Sequence, residues 1–437
     1  MQLQKTIAAV CLIMACLSSG ISVAEPTVQV ETENSLTSAA STNSLDLEDA
    51  ISHTLKNNPQ LFQYRFRKKS LLAHREAESY APPLHIGLET ENVAGSGAFN
   101  GFDSAETTLS LSSVIELGGK ARSRVAVVDA KTDRLRFEQQ AATLDVLGEL
   151  TTLYISCLST QESIRLAEET VGLSERMLST VKRRAAKGAA PDAEVMRAKA
   201  ALSRSKIRLR ALYSSYDRQK VMLSSFWGVN DPKFDTLKGR LSVFESEADF
   251  PSLFKRAQNS PAIAILASEA RLRDAEVKLA KAQSRVNIGW QLGVRRYEDT
   301  NDTALTAGIT IPLFNGKRNR GSVVSALAER DALEYQKKDA LSKLHTRLYS
   351  AFSQWEENTR VVNQMSSQVL PALEKALILT QQAYEAGRYR YQDWIVAQEE
   401  LLAAKQQRIE AATSAQLSQA LIEQLVAEPL KTNKIIY

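Results

Sequence analysis

Cysteine is almost missing from this sequence. Three occur in 437 residues, Cys11, Cys16 and Cys157. No two have Cys-x-x-Cys spacing, which excludes a disulfide framework and a thiolate zinc site. Proline and glycine are also scarce, at 11 and 18 residues, so long helices can run uninterrupted. The four histidines, His53, His74, His85 and His345, have no histidine partner three or four positions away, so no helical pair of metal ligands exists. Gly-x-Ser-x-Gly and His-Glu-x-x-His are missing. Gly118-Gly119-Lys120 lacks both the upstream glycine and the following Ser or Thr of a phosphate loop. The chain is therefore expected to be no enzyme and to hold no cofactor and no metal site. Net charge is only +5, without a block of like charges, which leaves no footprint for nucleic acid. Beyond the N-terminus no run of 18 apolar residues occurs, so no membrane-spanning helix is expected.

What is present begins with an export signal. Lys5 precedes an apolar stretch from Ile7 to Leu17, followed by Ser22-Val23-Ala24 with small outer residues. This is the layout of a secretory signal cleaved after Ala24, making residues 1–24 a signal peptide. Lipidation at Cys16, preceded by Ile13-Met14-Ala15, is the competing route and stays open. Residues 25–44, rich in Ser, Thr, Asn and Glu, read as a flexible leader.

Helical periodicity starts at Leu45 and is broken by Asn57-Asn58-Pro59. There Asn58 is placed to cap a second helix with Pro59 at its first position. Pro82-Pro83 ends that helix. The period then becomes two. Leu84, Ile86 and Leu88 alternate with polar or small residues, as do Thr107, Leu109 and Leu111, around a loop containing Gly95, Gly97 and Gly101. Two strands of about 9–11 residues, enough to cross a bilayer when tilted, are expected here. From Lys120 to Ala186 there is no proline, which predicts a single helix on the order of 100 Å long. Such a rod must pack laterally against others. Cys157 lies on its apolar stretch as a buried thiol. The chain turns at Gly188-Ala189-Ala190-Pro191-Asp192 and returns as a helix through Trp227.

The same programme then recurs. Pro59 and Pro261, Gly119 and Gly316, and Gly188 and Gly387 are all separated by about 200 residues, the signature of an internal repeat. Alternation also recurs, at Ile288, Trp290, Leu292 and Val294, then at Leu305, Ala307, Ile309 and Ile311. The expected fold class is mainly α with a small transmembrane β part. It is a duplicated helix–strand–strand–long helix–helix unit, with repeats at 45–228 and 251–428, a connecting segment at 229–250 and a tail at 429–437. Four strands cannot close a barrel, and an open edge in lipid costs several kcal/mol per unpaired backbone group. Strands from other copies are therefore required.

These residues carry a family resemblance. Leu47, Ala50, Ile51, Asn58 and Pro59 at the opening, the passages Ile115-Glu116-Leu117-Gly118-Gly119-Lys120 and Ile311-Pro312-Leu313-Phe314-Asn315-Gly316-Lys317, and the turns at Gly188 and Gly387 resemble the TolC-like outer-membrane factors. Ile-Glu-Leu-Gly-Gly-Lys followed by Arg122 and Arg124 is most similar to the branch serving heavy-metal cation pumps of the CzcC/CusC kind. The resemblance implies a homotrimer whose twelve-stranded barrel in the outer membrane of a Gram-negative bacterium continues into an α-helical periplasmic tunnel. It also implies a periplasmic adaptor and an inner-membrane resistance-nodulation-division-type pump as partners, with outer-membrane lipid around the barrel. The implied function is the exit duct of a tripartite efflux system exporting heavy-metal cations.

Residues Gly118, Gly119, Lys120, Asn315, Gly316 and Lys317 are expected to turn the chain from strand into helix, with Lys120, Arg122, Lys317 and Arg318 near the inner membrane rim. By the resemblance, Lys187, Gly188, Asp192, Gly387, Arg388, Arg390 and Asp393 form the periplasmic tip. There Asp393 with Arg388 or Arg390 is a candidate pair for holding the aperture shut, although charges at a helix end are more often simply solvated. Two rival readings remain: an exit duct for drugs or type I protein secretion, and a soluble periplasmic coiled-coil scaffold without a barrel.

Overall fold

The computed structural model describes residues 44–244, 249–313 and 315–427, the side chains of 315–318 excepted. The expected signal peptide, the leader up to residue 43 and the tail at 429–437 lie outside the described residues.

The chain enters through a short strand β1 (Ser44–Leu45) and helices α1 (Leu47–Asn57) and α2 (Pro59–Ser79). Asn58 works at the break in two ways. Its Oδ1 accepts from Leu61 N at 3.2 Å, capping α2, and its Nδ2 donates to the Phe226 carbonyl at 2.9 Å. The strands β2 (His85–Glu91) and β3 (Glu106–Glu116) follow, and then α3 (Lys120–Ala186), one unbroken helix of 67 residues. The return helix α4 spans Asp192–Ser225, ending two residues before Trp227. A connecting segment carries β4 (Thr236–Leu237). The second unit comprises α5 (Phe250–Ala257), α6 (Pro261–Gln283), β5 (Asn287–Tyr297), β6 (Thr303–Thr310), α7 (Asn315–Gln364), α8 (Leu370–Glu385) and α9 (Tyr391–Val426).

Four strands form one antiparallel sheet in the order β2-β3-β5-β6. The two repeats meet along β3 and β5, which pair over eleven residues from Glu106↔Tyr297 to Glu116↔Asn287. The outer strands are shorter than expected, 7 residues for β2 and 8 for β6. Among the described residues each is paired on one side only. Strand β6 also stops before Ile311, because Pro312 has no N–H for a ladder.

α3 packs against α2, α4, α6 and α9. Contrary to expectation, it does contain a stretch long and apolar enough in composition to cross a membrane. Its apolar side chains Leu150, Tyr154, Ile155, Cys157 and Leu158 are buried in the largest core cluster instead, with Leu223 of α4 and Ala412 of α9. Near them β1 pairs in parallel with β4. The Tyr154 hydroxyl lies 2.6 Å from the Lys238 carbonyl and 3.0 Å from that of Leu45, which fixes the connecting segment to the middle of α3.

The second long helix departs from the first. Between α7 and α8, residues Met365–Val369 form a π-helical turn, and the Leu370 N–H reaches back five residues to the Met365 carbonyl. Pro371 explains the widening: it has no N–H, and its ring would collide with the carbonyl four residues earlier.

Candidate functional site

The sheet has two chemically distinct faces. Register brings Ile86, Leu111, Leu292 and Ala307 into one row across all four strands, and Leu88, Leu109, Val294 and Leu305 into the next. These side chains are exposed, Leu305 at 87% and Ile86 at 79%. The opposite face aligns His85, Ser112, Gln291 and Gly308, then Gly87, Ser110, Gly293 and Thr306, then Glu89, Thr108, Arg295 and Ala304. An exposed apolar face backed by a polar one suits a wall with lipid on one side and water on the other. On the polar face Arg295 pairs with Glu91 at 2.8 Å and Glu106 at 2.7 Å, and its Nε donates to Thr108 Oγ1 at 2.9 Å.

At the lower end of the sheet the chain turns into α3 through Gly118 and Gly119, whose φ angles are +81° and +67°. Both lie in the left-handed region that glycine enters without penalty. Lys120, expected near the inner membrane rim, is the first residue of α3 at this end of the sheet. It is buried, and its ammonium donates to the Arg285 carbonyl at 2.8 Å and to Asn287 Oδ1. The reason is its position: as first residue of α3 it faces the end of α6, where two oxygen acceptors need a cation. Arg124, one turn on, binds Glu116 and Glu78, each at 2.8 Å. In the second repeat α7 already begins at Asn315. Asn315, Gly316 and Lys317 are thus helical backbone and not the turn. The connection therefore lies between Thr310, the last residue of β6, and Asn315; the side chains of Asn315, Gly316, Lys317 and Arg318 lie outside the described residues.

At the far end of α3 both helical hairpins turn by the same device. Gly188 (φ +72°) donates to the Ala185 carbonyl and Ala189 to Arg184, each at 2.9 Å. Gly387 (φ +76°) donates to Tyr384 at 2.9 Å and Arg388 to Ala383 at 2.8 Å. These are paired Schellman closures. Lys187 caps α3, Asp192 opens α4, and Arg390 precedes α9. The Asp393 carboxylate accepts from the Arg390 backbone N–H at 2.9 Å, and among the described residues it forms no ion pair with Arg388 or Arg390. Within one chain it serves as a helix cap.

Sequence reasoning missed the groups that join the two turns. Arg184 Nη1 donates to the carbonyls of Tyr384 (2.5 Å) and Glu385 (2.9 Å), and Nη2 to Ala189 (3.2 Å). Its guanidinium also sits 4.7 Å from the Tyr384 ring centroid. A cation there complements the exposed carbonyls at the end of α8. The Tyr384 hydroxyl donates to Glu194 Oε2 at 3.0 Å, and its ring packs against Trp394 in a tilted arrangement, centroids 5.2 Å apart. Burial, with the Glu194 carboxylate beside it, pushes the Tyr384 phenol up to about 12. Tyr384 and Trp394 belong with Met177, Val181, Ala198, Leu377, Tyr391 and Leu401 to a core cluster distinct from the one around Tyr154. Only helical spacing around Gly188 and Gly387 hinted at Arg184 and Tyr384; each stands three or four residues before its glycine.

Among the described residues no group of three His, Cys, Asp or Glu is arranged to hold a metal ion. Exposed His345 meets the rings of Phe250 and Phe254 edge-on, a packing role.

Comparison with known proteins follows the same lines. The cobalt-zinc-cadmium resistance protein CzcC of Cupriavidus metallidurans is 24% identical over 299 residues, covering 68% of this chain and 72% of that protein. The pyoverdine export outer membrane protein OpmQ of Pseudomonas putida is 24% identical over 310 residues, covering 65% and 62%. In three dimensions the outer membrane protein VceC of Vibrio cholerae superposes with a TM-score of 0.71 at 19% identity, over 88% of this chain and 97% of that one. The sequence model of the outer membrane efflux proteins matches residues 50–229 and 255–428, one stretch in each repeat. A two-faced sheet with open edges, set on helices that end in a joined pair of turns, is the architecture of an outer-membrane channel, and this chain belongs to the outer membrane efflux protein family.

Proposed function

We propose that the chain is the exit duct of a tripartite efflux system that exports heavy-metal cations. The sheet carries the duct reading. Among the described residues its strands β2 and β6 each have a partner on one side only, yet its apolar face is fit for lipid, where an open edge is untenable. A second and third copy would close a twelve-stranded barrel around the polar face. The helices then continue the lumen through the periplasm, to an adaptor and a proton-driven inner-membrane pump. Lys187, Gly188, Asp192, Gly387, Arg388, Arg390 and Asp393 lie on the two turns that would meet the adaptor, and Arg184, Tyr384 and Glu194 hold those turns together.

Cargo rests on the likeness to the cobalt-zinc-cadmium resistance protein and on Ile115–Lys120. The absence of a metal cluster among the described residues suits a conduit, since a duct must release what it passes. The likeness to a pyoverdine exporter keeps export of organic compounds as the second reading. A deletion strain challenged with zinc, cadmium, cobalt, copper and silver, and in parallel with dyes and detergents, separates them. Sensitivity to the metals alone is expected; sensitivity to organic compounds alone transfers the chain to the second reading.

A further inference from the structure

We infer that the helical wall closes between copies along a seam of opposite charge, the basic free stripe of α2 in one copy lying against the acidic free stripe of α7 in the next. The inference rests on the channel reading above and adds to it which surfaces meet, in which sense, and by what chemistry.

A belt of ion pairs crosses the wall of one chain. Arg67 of α2 binds Glu138 of α3 at 2.9 Å, and Arg134 of α3 joins that carboxylate to Glu269 of α6, each at 2.8 Å. Arg273 then links Glu269, at 3.0 Å, to Glu329 of α7, at 2.7 Å. The belt passes through α2, α3, α6 and α7 in the order of the strands they join, and its two ends differ in sign. From Pro59 to Ala73, α2 carries Arg65, Arg67, Lys68 and Lys69 and no carboxylate. Among the described residues Arg65, Lys68 and Lys69 have no hydrogen-bond or ion-pair partner. From Gly321 to Gln336, α7 carries Glu329, Asp331 and Glu334 against Arg330 alone. Arg330 holds Asp331 at 2.7 Å and Lys338 holds Glu334 at 2.8 Å, but both carboxylates stay exposed and open to a second cation.

Each end also bears apolar side chains that the chain leaves uncovered. On α2, Arg67 and Arg75 reach α3, while Phe62, Phe66, Lys69 and Leu72 follow at helical spacing on the other flank. On α7, Glu329 reaches α6, while Val324, Ala328, Asp331 and Tyr335 line the other flank. Phe66 is 73% and Tyr335 72% exposed, and none of these apolar residues enters a core cluster. The stripes match in depth. Phe66 and Ala328 each lie thirteen residues from the sheet-side ends of their helices, Ser79 and Asn315, a distance of about 20 Å. The same two helices adjoin the open strands β2 and β6, so one join closes sheet and helices together. Burial of the aromatic rings supplies the attraction, and charge selects the sense. Pairing α2 with α2 opposes like charges, whereas α2 with α7 is complementary. Such a head-to-tail contact closes into a ring.

The test is cross-linking of the full-length protein in detergent with a short bismaleimide. Phe66→Cys combined with Ala328→Cys, or with Asp331→Cys one turn on, should give covalent dimers and trimers on denaturing gels. Phe66→Cys alone should give none, nor should wild type, whose Cys157 is buried. Charge supplies the second arm. Arg65→Glu with Lys69→Glu should raise the concentration of half-assembly, followed by light scattering at low salt, by about tenfold or more. Adding Asp331→Lys and Glu334→Lys should restore it. Trimers without a cross-link from either cysteine pair, cross-linked dimers from Phe66→Cys alone, or charge-reversed protein that assembles like wild type each overturn the inference and leave the channel reading standing. A wild-type protein that stays monomeric in detergent and in bilayers overturns the channel reading itself, and the inference with it.

Discussion

The phenol of Tyr384 donates a 3.0 Å hydrogen bond to Oε2 of Glu194, tying the second helical hairpin to the first. The two residues are far apart in sequence and belong to different repeats. Tyr384→Phe keeps the ring against Tyr391 and Trp394 and removes only this bond. A hydrogen bond to a charged group is worth about 1.5–3 kcal/mol, so the open-to-closed ratio of the reconstituted channel should rise by about ten- to a hundredfold. Single-channel recording decides the point, and an unaltered closed-state lifetime would remove the latch from the tip.

The same bond predicts an alkaline response. An unfolded tyrosine titrates near about 10, whereas Tyr384 in place is pushed up to about 12 by burial and the neighbouring carboxylate. The folded site favours the neutral phenol, so its contribution is intact below about 10 and is lost as pH rises to about 12. Conductance should climb over that interval in wild type and stay flat in Tyr384→Phe. A parallel climb in both proteins assigns the response to other groups.

Arg184 acts through geometry as well as charge. Its fork reaches three carbonyls on two turns, which a lysine ammonium cannot reproduce. Both Arg184→Ala and Arg184→Lys should loosen the turns and speed limited trypsin cleavage after Lys187 and Arg388. Full protection of the lysine variant would show that charge alone suffices.

At the junction of sheet and helix, the two adjacent glycines are not equivalent. A Cβ on Gly118 would lie 2.6 Å from Cγ of Arg285, while one on Gly119 meets nothing within 4 Å. Alanine at either site bears the left-handed backbone penalty of about 1–2 kcal/mol; at Gly118 it must also displace Arg285. Calorimetry should find Gly118→Ala the less stable variant. Lys120→Met should lose about 1–3 kcal/mol, because the Arg285 carbonyl and Asn287 are left without their donor. Equal melting temperatures for the two glycine variants would mean that the junction is loosely packed.

Cys157 is fully buried, and that burial pushes its thiol up to about 12. Only the thiolate reacts readily, so the folded protein at pH 8 should resist maleimide and label completely in denaturant. Labelling of the folded protein at the rate of a free thiol would place an opening in the core around Tyr154.

Much of this could be read before any coordinates. The lack of proline over 120–186 announced α3, Asn58-Pro59 the cap of α2, and Gly188 and Gly387 the two Schellman turns, since each signal acts on backbone within a few residues. Alternation with a period of two assigned the faces of the sheet for the same reason. Legibility failed where the partner is distant. Nothing in the spacing around Lys120 names Arg285 and Asn287 as its partners. Asn315-Gly316-Lys317 looked like a copy of Gly118-Gly119-Lys120, but α7 has already begun at Asn315.

The sequence by itself thus determined the repeat, the helix lengths, the glycine turns and the two-faced strands, because these depend on local torsions and on periodicity. Only the tertiary structure decided that β3 and β5 join the repeats, that Lys120 is consumed at their junction, and that Arg184, Tyr384 and Glu194 meet at the tip. Those choices are made by packing between residues up to about 200 positions apart, where desolvation and hydrogen-bond geometry select partners that spacing along the chain does not encode.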